Sequence, residues 1–228
     1  MNWWLILQIG QWLTQINATP KPYLLSDDVF FAQSVSHQIM VLDKPDTLLL
    51  DVALFQATNE ARRAAGLAIL QYDRGLYQAA QNHAESMIRF DYVGHEDLYQ
   101  LTELTLLKRI EKQTKRFGRM AENIGQYQTI DTPDWYGVRF NKRAHQFEYV
   151  NSENKQLYKP YSYAQYARYA VQQWLASPHH RANLLNPLFT HVGCAGRLCS
   201  LPFRQRKAPY GRLVQNFGSP RLSAQANR

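Results

Sequence analysis

The apolar residues of this chain repeat with a helical period over long stretches before a strand-like pattern replaces it. In "TLLLDVALFQATNEARRAAG", apolar side chains recur at three- and four-residue steps, at Leu50, Leu54, Ala57, Ala61 and Ala64. This spacing predicts an amphipathic helix that stops at Gly66. "LQYDRGLYQAAQNHAESMIRF" predicts a second helix with Asp73 as its N-cap. "THVGCAGRLC" and "GRLVQNFG" predict two neighbouring strands. This order is typical of an α+β layered fold with an antiparallel sheet.

The segments between these elements complete the organisation of the chain. Residues 19–47 contain three prolines and an irregular apolar pattern, and we interpret them as a lead-in segment. "LTELTLLKRIEKQTKRFG" predicts a third, basic helix that ends at Gly118. Residues 126–162 are polar and aromatic with little periodicity, which indicates a long insertion of the kind that is often functional. "YAQYARYAVQQWLA" predicts another helix, which Pro178 ends.

The charge balance narrows the classes of partner. The chain has 228 residues, and Lys and Arg outnumber Asp and Glu by 26 to 18, which gives a net charge of +8. Such a charge favours anionic partners such as phosphate-bearing lipid, cell-wall polymer or nucleic acid, or it reflects a solvated basic surface. The basic stretches "KRIEKQTKR" and "RQRKAPYGR" match no nucleic-acid-binding motif, so we expect no specific recognition of nucleic acid.

Residues 1–18 leave two predictions open. The apolar run from Trp3 to Leu13 is about 11 residues long, well short of the ~20 that cross a bilayer, so we do not expect an integral membrane protein. Ala18 is a small residue of the kind found before a cleavage site, but the first positive charge is Lys21. This segment is interpreted either as a cleaved signal peptide or as an amphipathic helix that packs on the domain.

The chain has two cysteines, Cys194 and Cys199, in "VGCAGRLCS". Four residues separate them, and one of the four is glycine, which favours a disulfide that closes a tight turn. The spacing does not suit a zinc knuckle, because no second Cys or His pair stands beside it. In a reducing compartment the two residues would instead remain thiols.

The stretch "WLASPHHRANLL" predicts a short helix that begins after a serine. Ser177 is a predicted N-cap and Pro178 suits the first helical position, which favours capping over a serine-nucleophile role. His179 and His180 then fall in the first turn. Successive helical residues point about 100° apart, so at most one of these two histidines faces a small site.

Five blocks in order resemble the CAP superfamily, which comprises cysteine-rich secretory proteins, antigen 5 and pathogenesis-related 1, and most of all its bacterial SCP-like branch. The blocks are "TNEARRAAGLAILQYDRGLYQAAQNHAESM", "GH", "AENIG", "WLASPHHRANLLNPLFTHVGCAG" and "LVQNFG". The resemblance runs from about Leu48 to Gly218. It implies a three-layer α-β-α sandwich with an open cleft, a domain over residues 48–219 and a tail over residues 220–228.

The family's cleft holds two histidines and two acids, which in some members bind zinc or another divalent metal. The resemblance places the first histidine at His95, the first acid at Glu122 and the second histidine at His180. His179 stands where the bacterial branch has glycine, and Ser177 stands at the second acidic position. The lost acid is expected to weaken metal binding.

We favour the interpretation that the cleft is polar, is held by hydrogen bonds and binds no metal tightly. Glu122 would accept hydrogen bonds from His180 and from backbone amides. Asn123 would bond a loop backbone, and Arg181 would pair with an acid or with helix carbonyls.

The resemblance implies an extracytoplasmic protein, and we predict a non-catalytic module that binds an envelope lipid, glycan or protein through this cleft. The alternative is a metal-assisted hydrolase, a peptidase or cell-wall enzyme, with His95 and His180 on the metal and Glu122 as ligand or general base.

The insertion and its flank supply a second candidate surface of aromatic and basic residues, unless the aromatics only pack the insertion onto the domain. These are Tyr127, Trp135, Tyr136, Phe140, Phe147, Tyr149, Tyr158, Tyr161 and Tyr163, with Arg139, Lys142, Arg143 and Lys155.

Overall fold

A computed structural model describes residues 19–221 of the chain. The prediction for residues 1–18, a signal peptide or an amphipathic helix, lies outside the described residues, as does most of the tail. Within them lie six α-helices: α1 Asp27–Phe31, α2 Thr47–Ala64, α3 Arg74–Phe90, α4 Leu106–Gln113, α5 Tyr163–Ala176 and α6 Pro178–Leu184.

The two helices with the clearest apolar period form as predicted. Helix α2 ends at Ala64, and Gly66 follows with a φ of 71°, a left-handed conformation that glycine adopts without strain. Asp73 caps α3 by accepting a hydrogen bond from the backbone N–H of Leu76 at 3.0 Å.

Four strands form the central sheet, in the spatial order β1-β5-β6-β2. The strands are β1 Gln71–Tyr72, β2 Phe117–Gln128, β5 His191–Leu198 and β6 Tyr210–Pro220. β5 and β6 are antiparallel neighbours, as are β2 and β6, but β1 runs parallel to β5. The prediction of a purely antiparallel sheet is therefore wrong. A parallel pair needs a long crossover, and here the chain passes through α3 to α6 before β5 completes the pair with β1.

Helices cover both faces of this sheet, so the fold is the three-layer α-β-α sandwich. Strand side chains alternate between the two faces. Val192 and Cys194 of β5 join the core cluster that includes α2 and α5, whereas Ala195 packs with Ala80 and Met87 of α3. Helix α4 covers the same face as α3, where Ile110 and Leu76 are buried together.

Two predicted elements differ from the structure. The basic helix was expected to reach Gly118, but α4 ends at Gln113, and "FGRMAENIGQYQ" forms β2 because its backbone pairs with β6. Residues 126–162 are not a plain loop, since they hold a hairpin of β3 Gly137–Asn141 and β4 Gln146–Val150.

The lead-in segment contributes to the main core. Its buried apolar side chains are Tyr23, Phe30, Phe31, Met40 and Leu42. The phenolic ring of Tyr23 lies 4.1 Å from that of Tyr72 in β1, between ring centroids. Burial of such aromatic side chains is among the larger stabilising contributions available to a domain of this size.

Candidate functional site

The predicted cleft residues come from three elements that meet at one edge of the sheet. Glu122 and Asn123 lie on β2, which is an edge strand. His95 lies in the loop after α3, and His180 lies in the first turn of α6. Because successive strand residues face opposite sides, Glu122 turns toward α4 and Asn123 toward α6. The loop and α6 therefore approach the edge from the two outer layers.

Two asparagines fasten α6 to the edge strand. The side-chain N–H of Asn123 donates to the carbonyl oxygen of His180 at 3.0 Å and to Oε1 of Gln215 at 3.1 Å. Asn183 of α6 donates in turn to the Glu122 carbonyl at 3.3 Å and to Oδ1 of Asn123 at 3.0 Å. These bonds satisfy polar groups at an edge that would otherwise be open, and they set the position of His180.

Glu122 is the buried centre of the site, and its main partner is Arg109. The carboxylate side chain is only 2% exposed and the Arg109 side chain is fully buried. Nη2 of Arg109 donates to both carboxylate oxygens, at 2.9 and 2.8 Å. His95 is the second partner, with Nδ1 placed 2.9 Å from Oε1 of Glu122. The expected contacts from His180 and from backbone amides are not the ones that Glu122 makes.

Arg109 also supports the loop that carries His95. Its guanidinium donates to the backbone carbonyls of Glu103, Leu104 and His95, at 3.1, 3.2 and 2.9 Å. One buried cation therefore neutralises Glu122 and holds both ends of the 95–104 loop. Such a pair is costly to bury unless its polar atoms find partners. Both Nη atoms of Arg109 donate in this way, and only its Nε lacks a hydrogen-bond partner among residues 19–221.

His83 of α3 also supports the 95–104 loop. It is fully buried, and its Nε2 lies 2.9 Å from the carbonyl oxygen of Gly94, next to His95. Nδ1 has no hydrogen-bond partner among residues 19–221 and lies 4.0 Å from a carboxylate oxygen of Asp97. Burial lowers the pKa of His83, which favours a neutral imidazole that donates from Nε2.

The two cleft histidines differ in the direction of their pKa shifts. The hydrogen bond that His95 donates to Glu122 raises the pKa of His95, whose side chain is 61% exposed. Desolvation lowers the pKa of His180, and the charges of His95 and His179 lower it further. The His95 and His180 rings are thus close enough for their charges to interact, with His95 as the more basic group.

These pKa shifts predict that the two histidines titrate in a fixed order. We expect His95 to titrate above its ordinary value of 6.5 and His180 below it. The stabilisation from protonated His95 on Glu122 is fully present below 6.5 and is lost as the pH rises through the higher folded-state pKa. Histidine ring resonances followed by NMR against pH would measure both midpoints, with assignments from His95→Gln and His180→Gln. Equal or reversed midpoints would contradict the geometry.

The remaining predicted cleft residues make fewer contacts at the site. Ser177 stands at the N-cap of α6, but its side chain makes no capping hydrogen bond, contrary to expectation. His179 and Arg181 are exposed while His180 is half-buried, in keeping with their different directions on the helix. Arg181 forms no ion pair with any residue between 19 and 221, so its predicted acidic partner is not found there.

The predicted disulfide is wrong. Cys194 lies within β5 and Cys199 follows the end of that strand, and both are free. Strand residues advance by about 3.3 Å each, so five steps place the two Cα atoms roughly 16 Å apart. A disulfide needs Cα atoms within about 7 Å. The residues between the cysteines continue the ladder with β6 and make no tight turn.

The donor set does not fit a zinc ion that uses Glu122 as a ligand. Both Glu122 oxygens already accept hydrogen bonds from Arg109, and a metal ion there would also face the guanidinium charge. His95 and His180 alone fall short of the three protein ligands typical of a zinc site. Across residues 19–221, no three His, Cys, Asp or Glu side chains are grouped to hold a metal.

Sequence reasoning missed Arg109. Arg109 lies in a strongly basic stretch, where a charged residue is usually solvated. Its position directly before Ile110 and three residues after Leu106 was the available signal, because that spacing puts it beside the buried side of α4.

Comparison with known proteins gives one matching family model and several solved structures of low sequence identity. The model of the cysteine-rich secretory protein family, CAP, matches residues 55–201. An extracellular SCP-domain protein from Bacillus anthracis is 23% identical, with a TM-score of 0.47, over 75% of this chain and 41% of its own. An outer surface protein from Borrelia burgdorferi is 19% identical, with a TM-score of 0.46, over 74% of this chain and 90% of its own. A cysteine-rich secretory protein from Staphylococcus aureus is 16% identical, with a TM-score of 0.45, over 76% of this chain and 40% of its own.

This chain therefore spans about two fifths of the length of the Bacillus anthracis protein. No curated protein matches it in sequence. The family model covers more than half of the chain, and the blocks that carry the site residues His95, Glu122 and His180 fall inside the matched range. The chain belongs to the cysteine-rich secretory protein (CAP) family.

Proposed function

We propose that this protein is a non-catalytic, extracytoplasmic binding module whose cleft takes an anionic group of an envelope-associated lipid, glycan or protein. The secretory character in the family's name supports the location. Residues 19–221 include no helix that is long and apolar enough to cross a bilayer.

The pairing of Arg109 with Glu122 carries the proposal. It neutralises Glu122, so the polar groups that the predicted cleft residues leave at the surface are chiefly donors and cations: His95, His180 and Arg181. With Nδ1 of His95 held by Glu122, Nε2 is the ring nitrogen left for a ligand. Protonated imidazole and guanidinium groups are strong hydrogen-bond donors to carboxylate and phosphate oxygens.

The test is an anion titration followed at the two histidines. Sulfate is the probe, because its charge does not change near neutral pH, and chloride at equal ionic strength is the control. We expect saturable shifts of the His95 and His180 ring resonances with a Kd of about 1–10 mM at about pH 6. Binding should weaken several-fold as the pH rises through the raised pKa of His95, because the imidazole then loses its charge.

A matched variant completes this test. The double change His95→Gln/His180→Gln should abolish sulfate-dependent shifts at the neighbouring Arg181 backbone amide while leaving the melting temperature close to that of the wild type. Shifts that do not saturate, or that chloride reproduces, would refute an anion site in the cleft.

The metal-assisted hydrolase is distinguished by zinc titration. Because Arg109 occupies both Glu122 oxygens, we expect calorimetry to show no stoichiometric zinc binding that depends on His95 and His180. The His95→Gln/His180→Gln variant is the control for zinc bound elsewhere. Tight one-to-one binding that this variant loses would instead favour the hydrolase.

A further inference from the structure

The insertion hairpin and the loop between β5 and β6 form one surface, although about 60 residues separate them in sequence. The N–H of Phe147 in β4 donates to the carbonyl of Phe203 at 2.9 Å. The guanidinium of Arg204 donates to the carbonyl of His145 at 3.1 Å. The buried Tyr149 donates from its hydroxyl to the carbonyls of Gln205 and Lys207, at 2.8 and 3.0 Å.

This surface concentrates positive charge. We name it the basic face and define it as residues 139–147 and 199–207, which together contain no Asp or Glu. Its cations are Arg139, Lys142, Arg143, Arg204, Arg206 and Lys207. Only Arg139 is paired with an acid, Glu148, among the described residues. Lys142, Arg143 and Arg206 are exposed, so their charges face solvent.

Large apolar side chains are exposed among these cations. Leu201 is 66% exposed and Phe140 is 49% exposed. Most other aromatic residues of the insertion pack inward: Tyr149 is buried, and the hydroxyl of Tyr136 accepts from the N–H of Ala208 at 3.0 Å. The hairpin is thus held firmly while its tip presents cations and apolar groups together.

We propose that the basic face docks on a membrane surface that contains anionic phospholipid. Lys and Arg side chains bind the headgroup phosphates, and Leu201 and Phe140 enter the boundary between headgroups and acyl chains. Nucleic acid is the competing polyanion, but it offers no apolar phase for Leu201. Single-stranded nucleic acid also binds in grooves, whereas this surface is a hairpin tip beside a loop.

The basic face is separate from the cleft. It adjoins the end of β2 at which Gln128 pairs with Tyr210. Glu122 lies six residues earlier on the same strand, roughly 20 Å away at about 3.3 Å per residue. Membrane docking therefore goes beyond the ligand proposed for the cleft, and each can fail without the other.

Vesicle co-sedimentation of the full chain tests the docking surface. Vesicles of phosphatidylcholine are compared with vesicles that contain about a third phosphatidylglycerol, at low and high salt. We expect binding only with the anionic lipid, and Arg143→Gln/Arg206→Gln should weaken it about thirtyfold, since each basic residue contributes about a fivefold factor. Leu201→Gln should weaken it several-fold and leave its salt dependence unchanged.

The charge-matched control is Lys115→Gln/Arg119→Gln, which removes two exposed cations near the opposite end of β2. This variant should bind vesicles like the wild type. Equal losses in the Lys115→Gln/Arg119→Gln control, binding to neutral vesicles, or retention on double-stranded DNA without binding to vesicles would each overturn the proposal.

Discussion

Replacing Arg109 with methionine should lower the free energy of unfolding by about 3–5 kcal/mol, because it leaves the Glu122 carboxylate buried beside an apolar side chain. The loss also removes the donor for the carbonyls of Glu103, Leu104 and His95, so the loop over the cleft loses its support. Urea unfolding followed by circular dichroism would measure the change.

Two variants control for the chemistry of the Arg109 substitution. Arg119→Met makes the same change at an exposed arginine without an ion pair, and it should alter stability by no more than about 0.5 kcal/mol. Arg109→Met/Glu122→Leu removes both charges and should be less destabilised than the sum of the single changes, because no unpaired charge remains. A loss below about 1 kcal/mol in Arg109→Met would show that the pair is not the support that its geometry indicates.

Replacing Gly193 with alanine should cost at least about 3 kcal/mol, the upper end of what overpacking usually costs. A Cβ atom at this position of β5 would lie 2.0 Å from the backbone nitrogen of Tyr77 and 2.3 Å from the carbonyl carbon of Leu76. Backbone atoms cannot rotate away as a side chain can. The first turn of α3 is also held to the sheet by Asn216, which donates to the Leu76 carbonyl at 3.3 Å.

Gly94→Ala is the matched control for this second substitution. It makes the same chemical change where the new Cβ atom would meet nothing closer than a carbonyl oxygen of Glu96 at 4.0 Å. We expect a change within about 0.5 kcal/mol. If thermal or urea unfolding found the two alanine variants equally stable, the close approach of α3 to β5 would be refuted.

The helices were predictable because their signals are local. The apolar steps of α2 and the cap at Asp73 are read within a few residues of each other, and both match the structure. Strand β2 was not predictable in the same way. Its central residues, Glu122 to Gly125, are all buried, so no alternation of apolar and polar residues marks the strand.

For the site, the sequence indicated candidate residues but not how they pair. The resemblance to the CAP family brought His95, Glu122 and His180 into one cleft, and the structure places them at one sheet edge. It could not supply Arg109, because a basic residue on a helix is solvated or buried according to what packs over it. The same limit explains the cysteines, since the four residues between them form either a turn or a straight strand depending on their neighbours.

The sequence by itself determined most of the helical segments, the family and the candidate residues of the cleft. Those follow from periodicity, capping and ordered motifs, which depend on residues close together in the chain or on their order. Only the tertiary structure decided that Glu122 pairs with Arg109, that Cys194 and Cys199 remain apart, and that two distant basic segments share one face. Each of these depends on which groups pack together and exclude water from one another. Charge–charge interactions and hydrogen bonds are stronger where water is excluded.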